Sequence, residues 1–133
     1  MRFEMGRSLR LGLVLVVSLA GACADFHRGP ASDAALVDDP VFENDVYPIL
    51  QSRCGDCHSP GGEAQASRFV LTGNAKADRA VVVMLVSPTD PDYSQLLLRA
   101  TNAVAHTGGE RLARDDPDYA TIRSWIASLL VNH

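Results

Sequence analysis

Aromatic side chains are scarce in this 133-residue chain, with one Trp, three Tyr and four Phe. A core must therefore come mainly from Leu, Ile and Val, and a domain this small often needs a disulfide, metal or cofactor to complete it. Basic charge is short as well. Twelve Lys and Arg stand against 16 Asp and Glu, a formal charge of −4. A nucleic-acid partner needs the opposite balance, so none is expected. Ten glycines and seven prolines are ordinary numbers, which excludes collagen-like and low-complexity classes. No internal repeat is visible, and neither are paired carboxylates, a Ser/His/Asp set or a phosphate-cradling loop. Only one C-x-x-C exists.

What the sequence does contain begins with Arg2, Arg7 and Arg10, the apolar run Leu11–Leu19, and then Ala20-Gly21-Ala22-Cys23. Positive residues, an apolar segment and small residues in that order form an export signal over residues 1–22. The run is too short for a stable span of a bilayer core of about 30 Å. Leu19-Ala20-Gly21-Ala22-Cys23 resembles the lipobox of bacterial lipoproteins, with Ala20 where the usual pattern has Leu. The resemblance implies cleavage before Cys23 and its acylation, hence a membrane-anchored protein on the periplasmic side. The alternative is an ordinary secretory site near Gly21–Ala24. Removing three arginines and Glu4 leaves 9 basic against 15 acidic residues in a mature chain of 111. Residues 23–40, rich in Ala, Asp, Pro and Ser, have no apolar period and read as an acidic flexible tether. His27 lies within it. The folded domain is expected over 41–133.

Three cysteines are an odd number for an exported chain, where a spare thiol oxidises or pairs between molecules. The count closes if Cys23 is lipidated and the other two act together in Cys54-Gly55-Asp56-Cys57-His58. Two cysteines three apart, on a turn entering a helix, set both sulfurs along one edge of a flat porphyrin. There they can form thioethers with its vinyl groups, and the adjacent histidine becomes the proximal iron ligand. Three other readings compete. Zinc needs two more Cys or His at suitable spacing. A thioredoxin-like pair expects a β-α-β context that residues 45–65 do not show. A short structural disulfide leaves His58 unexplained. One covalent haem c, held by Cys54, Cys57 and His58, is the expectation.

The surroundings read as helical. Val46, Ile49 and Leu50 share one face, with Pro48 starting or kinking the helix near Tyr47. The run Asp78–Val86 is ambiguous, because its valines favour a strand and Ala77–Ala80 a helix. Tyr93–Thr101 restarts a helix. Asp116-Pro117 is a start signal, with Asp as cap and Pro in the first turn, for a helix over about 117–131. That helix presents Ile122, Trp125, Ile126, Leu129 and Leu130, with Trp125 in the core or against the haem edge.

In sequence order, Asp45–Leu50, Cys54–His58, Gly61-Gly62, Pro88…Asp90-Pro91…Ser94–Leu97, His106-Thr107-Gly108-Gly109 and Ile122–Ile126 resemble the small c-type cytochrome domains of planctomycetes and many proteobacteria. The resemblance implies an all-α fold with cytochrome c-like helices around one covalently attached haem, and electron transfer as the function. It also implies that His106 of the H-x-G-G segment is the distal iron ligand. Met84, the one methionine after the signal, is the alternative ligand or a core residue, and an exposed loop histidine is the alternative for His106. Arg53, Arg68 and Arg111 can pair with haem acid groups or stand as surface charges. Two function classes follow. The first is a lipid-anchored electron carrier, not an enzyme, whose acidic surface suits a redox protein with a basic docking face. The second is a haem peroxidase or gas sensor with an open distal position.

Overall fold

The computed structural model describes residues 37–130. Among these the regular structure is entirely helical: a π-helical segment Phe42–Val46, α1 (Tyr47–Cys54), α2 (Ala75–Val83), a 3-10 turn Pro91–Tyr93, α3 (Gln95–Ala100) and α4 (Pro117–Ser128). None of the helices is long and apolar enough to cross a membrane. Cys23, His27, the expected export signal over 1–22 and His133 lie outside the described residues.

The packed domain starts earlier than Val41. Asp39 accepts from the Phe42 N–H through its carboxylate (3.0 Å) and from the Glu43 N–H through its carbonyl (2.9 Å), so Asp39-Pro40 opens a helix. The same carboxylate takes the Trp125 indole N–H (2.9 Å) and Arg79 (2.8 Å), pinning this end to α4 and α2. As expected, α1 begins at Tyr47 with Pro48 in its first turn, and the chain enters it from the π-helical segment without a break. Having no N–H, and with a ring that crowds the carbonyl four residues back, Pro48 is awkward in a regular α-helix. The π-helical stretch before it widens the turn, with the Tyr47 N–H reaching back to the Phe42 carbonyl.

The valine run resolves as helix. Asn74 caps α2 by accepting from the Ala77 N–H (3.1 Å), and the good helix formers at its start carry the β-branched residues with them. Asp116 caps α4 as expected, accepting from the Asp118 N–H at 2.9 Å. That helix buries Tyr119, Ile122, Trp125 and Ile126 on one face and ends at Ser128, not 131. Trp125 packs on Phe42, ring centres 5.0 Å apart, in the core shared by the first and last helices. It does not line the site described next. Completely buried side chains such as Phe42, Leu50, Ile122 and Ile126 each contribute about 1.5–3 kcal/mol relative to exposure.

Candidate functional site

The C-x-x-C-H motif closes a helix instead of opening one. Cys54 is the last residue of α1, and its carbonyl accepts from both the Cys57 N–H (3.2 Å) and the His58 N–H (2.9 Å). This tight turn holds the three side chains on one wall. The chain then passes close over the motif. A Cβ on Gly62 would lie 2.4 Å from the Cys57 carbonyl oxygen, so only glycine allows the approach. Residues 67–71 come back to cover His58. Its Nδ1 donates to the Phe69 carbonyl at 2.8 Å, its ring sits 4.8 Å from the Phe69 ring, and its own carbonyl accepts from the Leu71 N–H at 2.6 Å. The Ser67 hydroxyl donates to the same Phe69 carbonyl (2.8 Å).

His106 stands opposite, on the loop between α3 and α4. That loop leaves α3 at Asn102, which adopts φ 53° and accepts from the His106 N–H at 3.1 Å. It returns where the Ala100 carbonyl receives the Arg111 and Leu112 N–H groups (2.7 and 3.1 Å). Between these points His106–Gly109 is a tight turn with a Gly109 N–H to His106 carbonyl bond of 2.8 Å and Gly109 at φ 71°, a conformation that favours glycine. The turn brings the Gly109 carbonyl back to accept from His106 Nδ1 at 3.0 Å.

Carbonyl oxygens only accept, so Nδ1 carries a proton in both rings, and in the neutral imidazole the lone pair is then on Nε2. This is the tautomer of a metal-ligating histidine, oriented by a main-chain carbonyl behind it. The ring centres are 6.1 Å apart and the ring planes 21° from parallel. At a metal–nitrogen bond of about 2.0 Å, two imidazoles on opposite sides of one ion have centres roughly 6 Å apart. The residues are 48 positions apart in sequence, and the fold brings them to that spacing.

Both rings line an open cleft of two adjoining lobes, about 500 and 490 Å³, which also share Cys54, Ser67 and Arg111. One lobe holds both cysteines, Asp56 and Glu63. The other is walled by Phe69, Leu85, Leu96 and Ala100 and carries Arg68, Arg99 and Arg111 with no acidic residue. Arg68 and Arg111 take part in none of the ion pairs among the described residues. Arg53, by contrast, is held by Asp116 and Asp118 at 3.1 and 2.7 Å. Met84 is elsewhere: it caps α2, is 76% exposed and lines neither lobe, so it is neither core nor a cleft residue. The chain leaves the α-helix there, and Val82 takes the buried position instead.

Cys54 and Cys57 are both free thiols. Burial pushes the Cys54 thiol up to about 11, with nearby Arg111 and Arg53 opposing the shift. A thioredoxin-like redox cysteine is pushed the other way, toward the thiolate. Among the described residues no three His, Cys, Asp or Glu side chains gather as a metal-holding cluster. The donor set fits a planar tetrapyrrole, which needs only axial nitrogens and thioether sulfurs from the protein. Comparison with protein-family models, curated proteins and solved structures gave no match.

Reading the sequence alone missed the acceptors and braces of the site. Phe69 and Gly109 act through main-chain carbonyls, which leave no side-chain signature. Asn102 does have one: Thr101-Asn102 directly after a helical run matches the left-handed C-terminal cap that Asn adopts.

Proposed function

We propose that this chain is an exported mono-haem c-type cytochrome that carries single electrons between membrane or periplasmic partners, anchored through lipid on Cys23. Two imidazoles, each with Nδ1 donated to a main-chain carbonyl and Nε2 free, beside two free cysteines in one cleft, is the observation that carries this reading. Cys54 and Cys57 would hold the group covalently, and His58 and His106 would ligate its iron. Arg68 and Arg111 are cations free to meet its acid groups. When bound, haem supplies a one-electron iron couple. The protein's part is to keep both imidazoles in one tautomer and orientation, so that little has to rearrange as charge changes. The acidic chain suits a redox protein with a basic docking face, and the association rate is then expected to fall with salt.

The test is expression with c-type maturation machinery, followed by haem staining of a denaturing gel. A stained band, lost in the Cys54→Ser/Cys57→Ser double variant, is the expected result. An unstained, folded parent beside a stained control cytochrome would sink the reading. Resistance of the reduced protein to carbon monoxide supports a carrier with both axial positions filled. Rapid binding instead favours a sensor or peroxidase.

A further inference from the structure

Asp78 lies on α2, outside the cleft, and is only 2% exposed. Its carboxylate accepts three hydrogen bonds: from the Tyr47 hydroxyl (2.6 Å), the Thr72 N–H (2.7 Å) and the Thr72 hydroxyl (2.7 Å). The Tyr47 oxygen in turn accepts from the Gly73 N–H at 3.1 Å. Among the described residues no cation pairs with this buried acid, and neighbouring Arg79 is given to Asp39. Burial, reinforced by Asp78, pushes the Tyr47 phenol up to about 12, so it remains a donor throughout the ordinary pH range.

The network joins the two pieces that seat His58. Tyr47 begins α1, the helix whose last residue is Cys54. Thr72 follows Leu71, whose N–H holds the His58 carbonyl, and lies three residues after Phe69, whose carbonyl holds His58 Nδ1. Segment 69–72 is thus fixed at one end by Asp78 and at the other by the histidine it supports. A polar network in a low-dielectric interior is rigid when every member is satisfied, and loses that property when one is not.

We infer that Asp78 is a positioning residue for the proximal ligand: by clamping Thr72 against Tyr47 it fixes the Phe69 carbonyl on His58 Nδ1. This rests on the haem reading above. A firm acceptor behind Nδ1 raises the basicity of the imidazole. A more basic ligand favours the oxidised metal, so loosening Phe69 moves the reduction potential upward.

The experiment measures midpoint potential, the low-spin spectrum and denaturant stability of the matured protein. Asp78→Asn keeps the shape but turns one acceptor oxygen into a donor, so either the Thr72 hydroxyl must turn from donor to acceptor or the Thr72 N–H and the Tyr47 hydroxyl lose their shared acceptor. Its potential is expected to shift positive. Thr72→Val and Tyr47→Phe each remove one of the three bonds to Asp78 and are expected to shift less in the same direction, with Thr72→Ser restoring the parent value. Ile126→Val, a core change that only lowers stability, is expected to leave the potential alone. A loaded Asp78→Asn protein at the parent potential overturns the inference. If that variant fails to fold, parent potentials in both Thr72→Val and Tyr47→Phe overturn it equally. A parent protein that takes up no haem fails the haem reading instead, and is recognised before any variant is made.

Discussion

The two imidazoles have the same chemistry behind them and different mechanics. His58 gives Nδ1–H to a carbonyl 11 residues on, in a segment tied to α1 and α2 through Asp78. His106 gives Nδ1–H to a carbonyl three residues on, inside its own turn. The first seat exists only when distant parts of the chain are folded together. The second is local, set by a glycine, an asparagine in left-handed conformation and the end of α3. Long-range support fixes a group against the scaffold, whereas a local turn fixes it against itself and can move with its loop. On the proposed reading, the proximal side is the rigid reference and the distal side the adjustable one.

The largest effect that separates the two seats is expected from removing the distal ring. His106→Ala should leave the haem attached, since both cysteines and His58 remain, but convert the iron from low to high spin and open it to carbon monoxide. An unchanged low-spin spectrum would exclude His106 as ligand. A smaller effect is expected at the turn. Gly109→Ala places a side chain at φ 71°, which costs about 1–2 kcal/mol. Because the strain sits in a local seat, it should appear as faster carbon monoxide binding in the reduced protein with little change in potential. An equal effect on the potential would mean that the distal seat is as firmly coupled to the scaffold as the proximal one.

The legibility of the site followed the same division between local and long-range. The C-x-x-C-H pentapeptide and the H-x-G-G turn are short, and each could be read as it stands. Their juxtaposition depends on Ala100, Leu112 and the helices around them, so no local pattern announced it. Phe69 supplies only a carbonyl. Asp78 read as part of an ambiguous run, since a single carboxylate in sequence says nothing of Tyr47, 31 positions away. The helical class was readable, but some boundaries were not. Asp116-Pro117 and Asp39-Pro40 are the same capping device, and both cap helices. Only the first stood out, because the second is embedded in a stretch whose Ala, Asp, Pro and Ser composition resembles a tether. Pairing with Trp125 and Arg79 draws Asp39 into the fold, and that is tertiary information. Met84 differs from its expectation for a related reason: its apolar run points to burial, but the helix ends there and turns the side chain to solvent.

The smallest expected effect concerns a second brace on the proximal side. Arg53 precedes Cys54 and bonds through two guanidinium nitrogens to Asp118 (2.9 and 2.7 Å), with a further bond to Asp116 (3.1 Å), linking the end of α1 to the start of α4. Like Asp78 it ties the motif to a neighbouring helix, but its side chain is 40% exposed. Water competes for every bond it makes, and exposed ion pairs contribute little for that reason. Arg53→Ala should therefore lower stability less than Gly109→Ala does. The difference from the parent should shrink near 1 M salt, where the screening length falls to about 3 Å. The potential should stay close to that of the parent, since the Phe69 carbonyl does not depend on this pair. A shift as large as that of Asp78→Asn would mean that the end of α1, and not segment 69–72, governs how His58 is held.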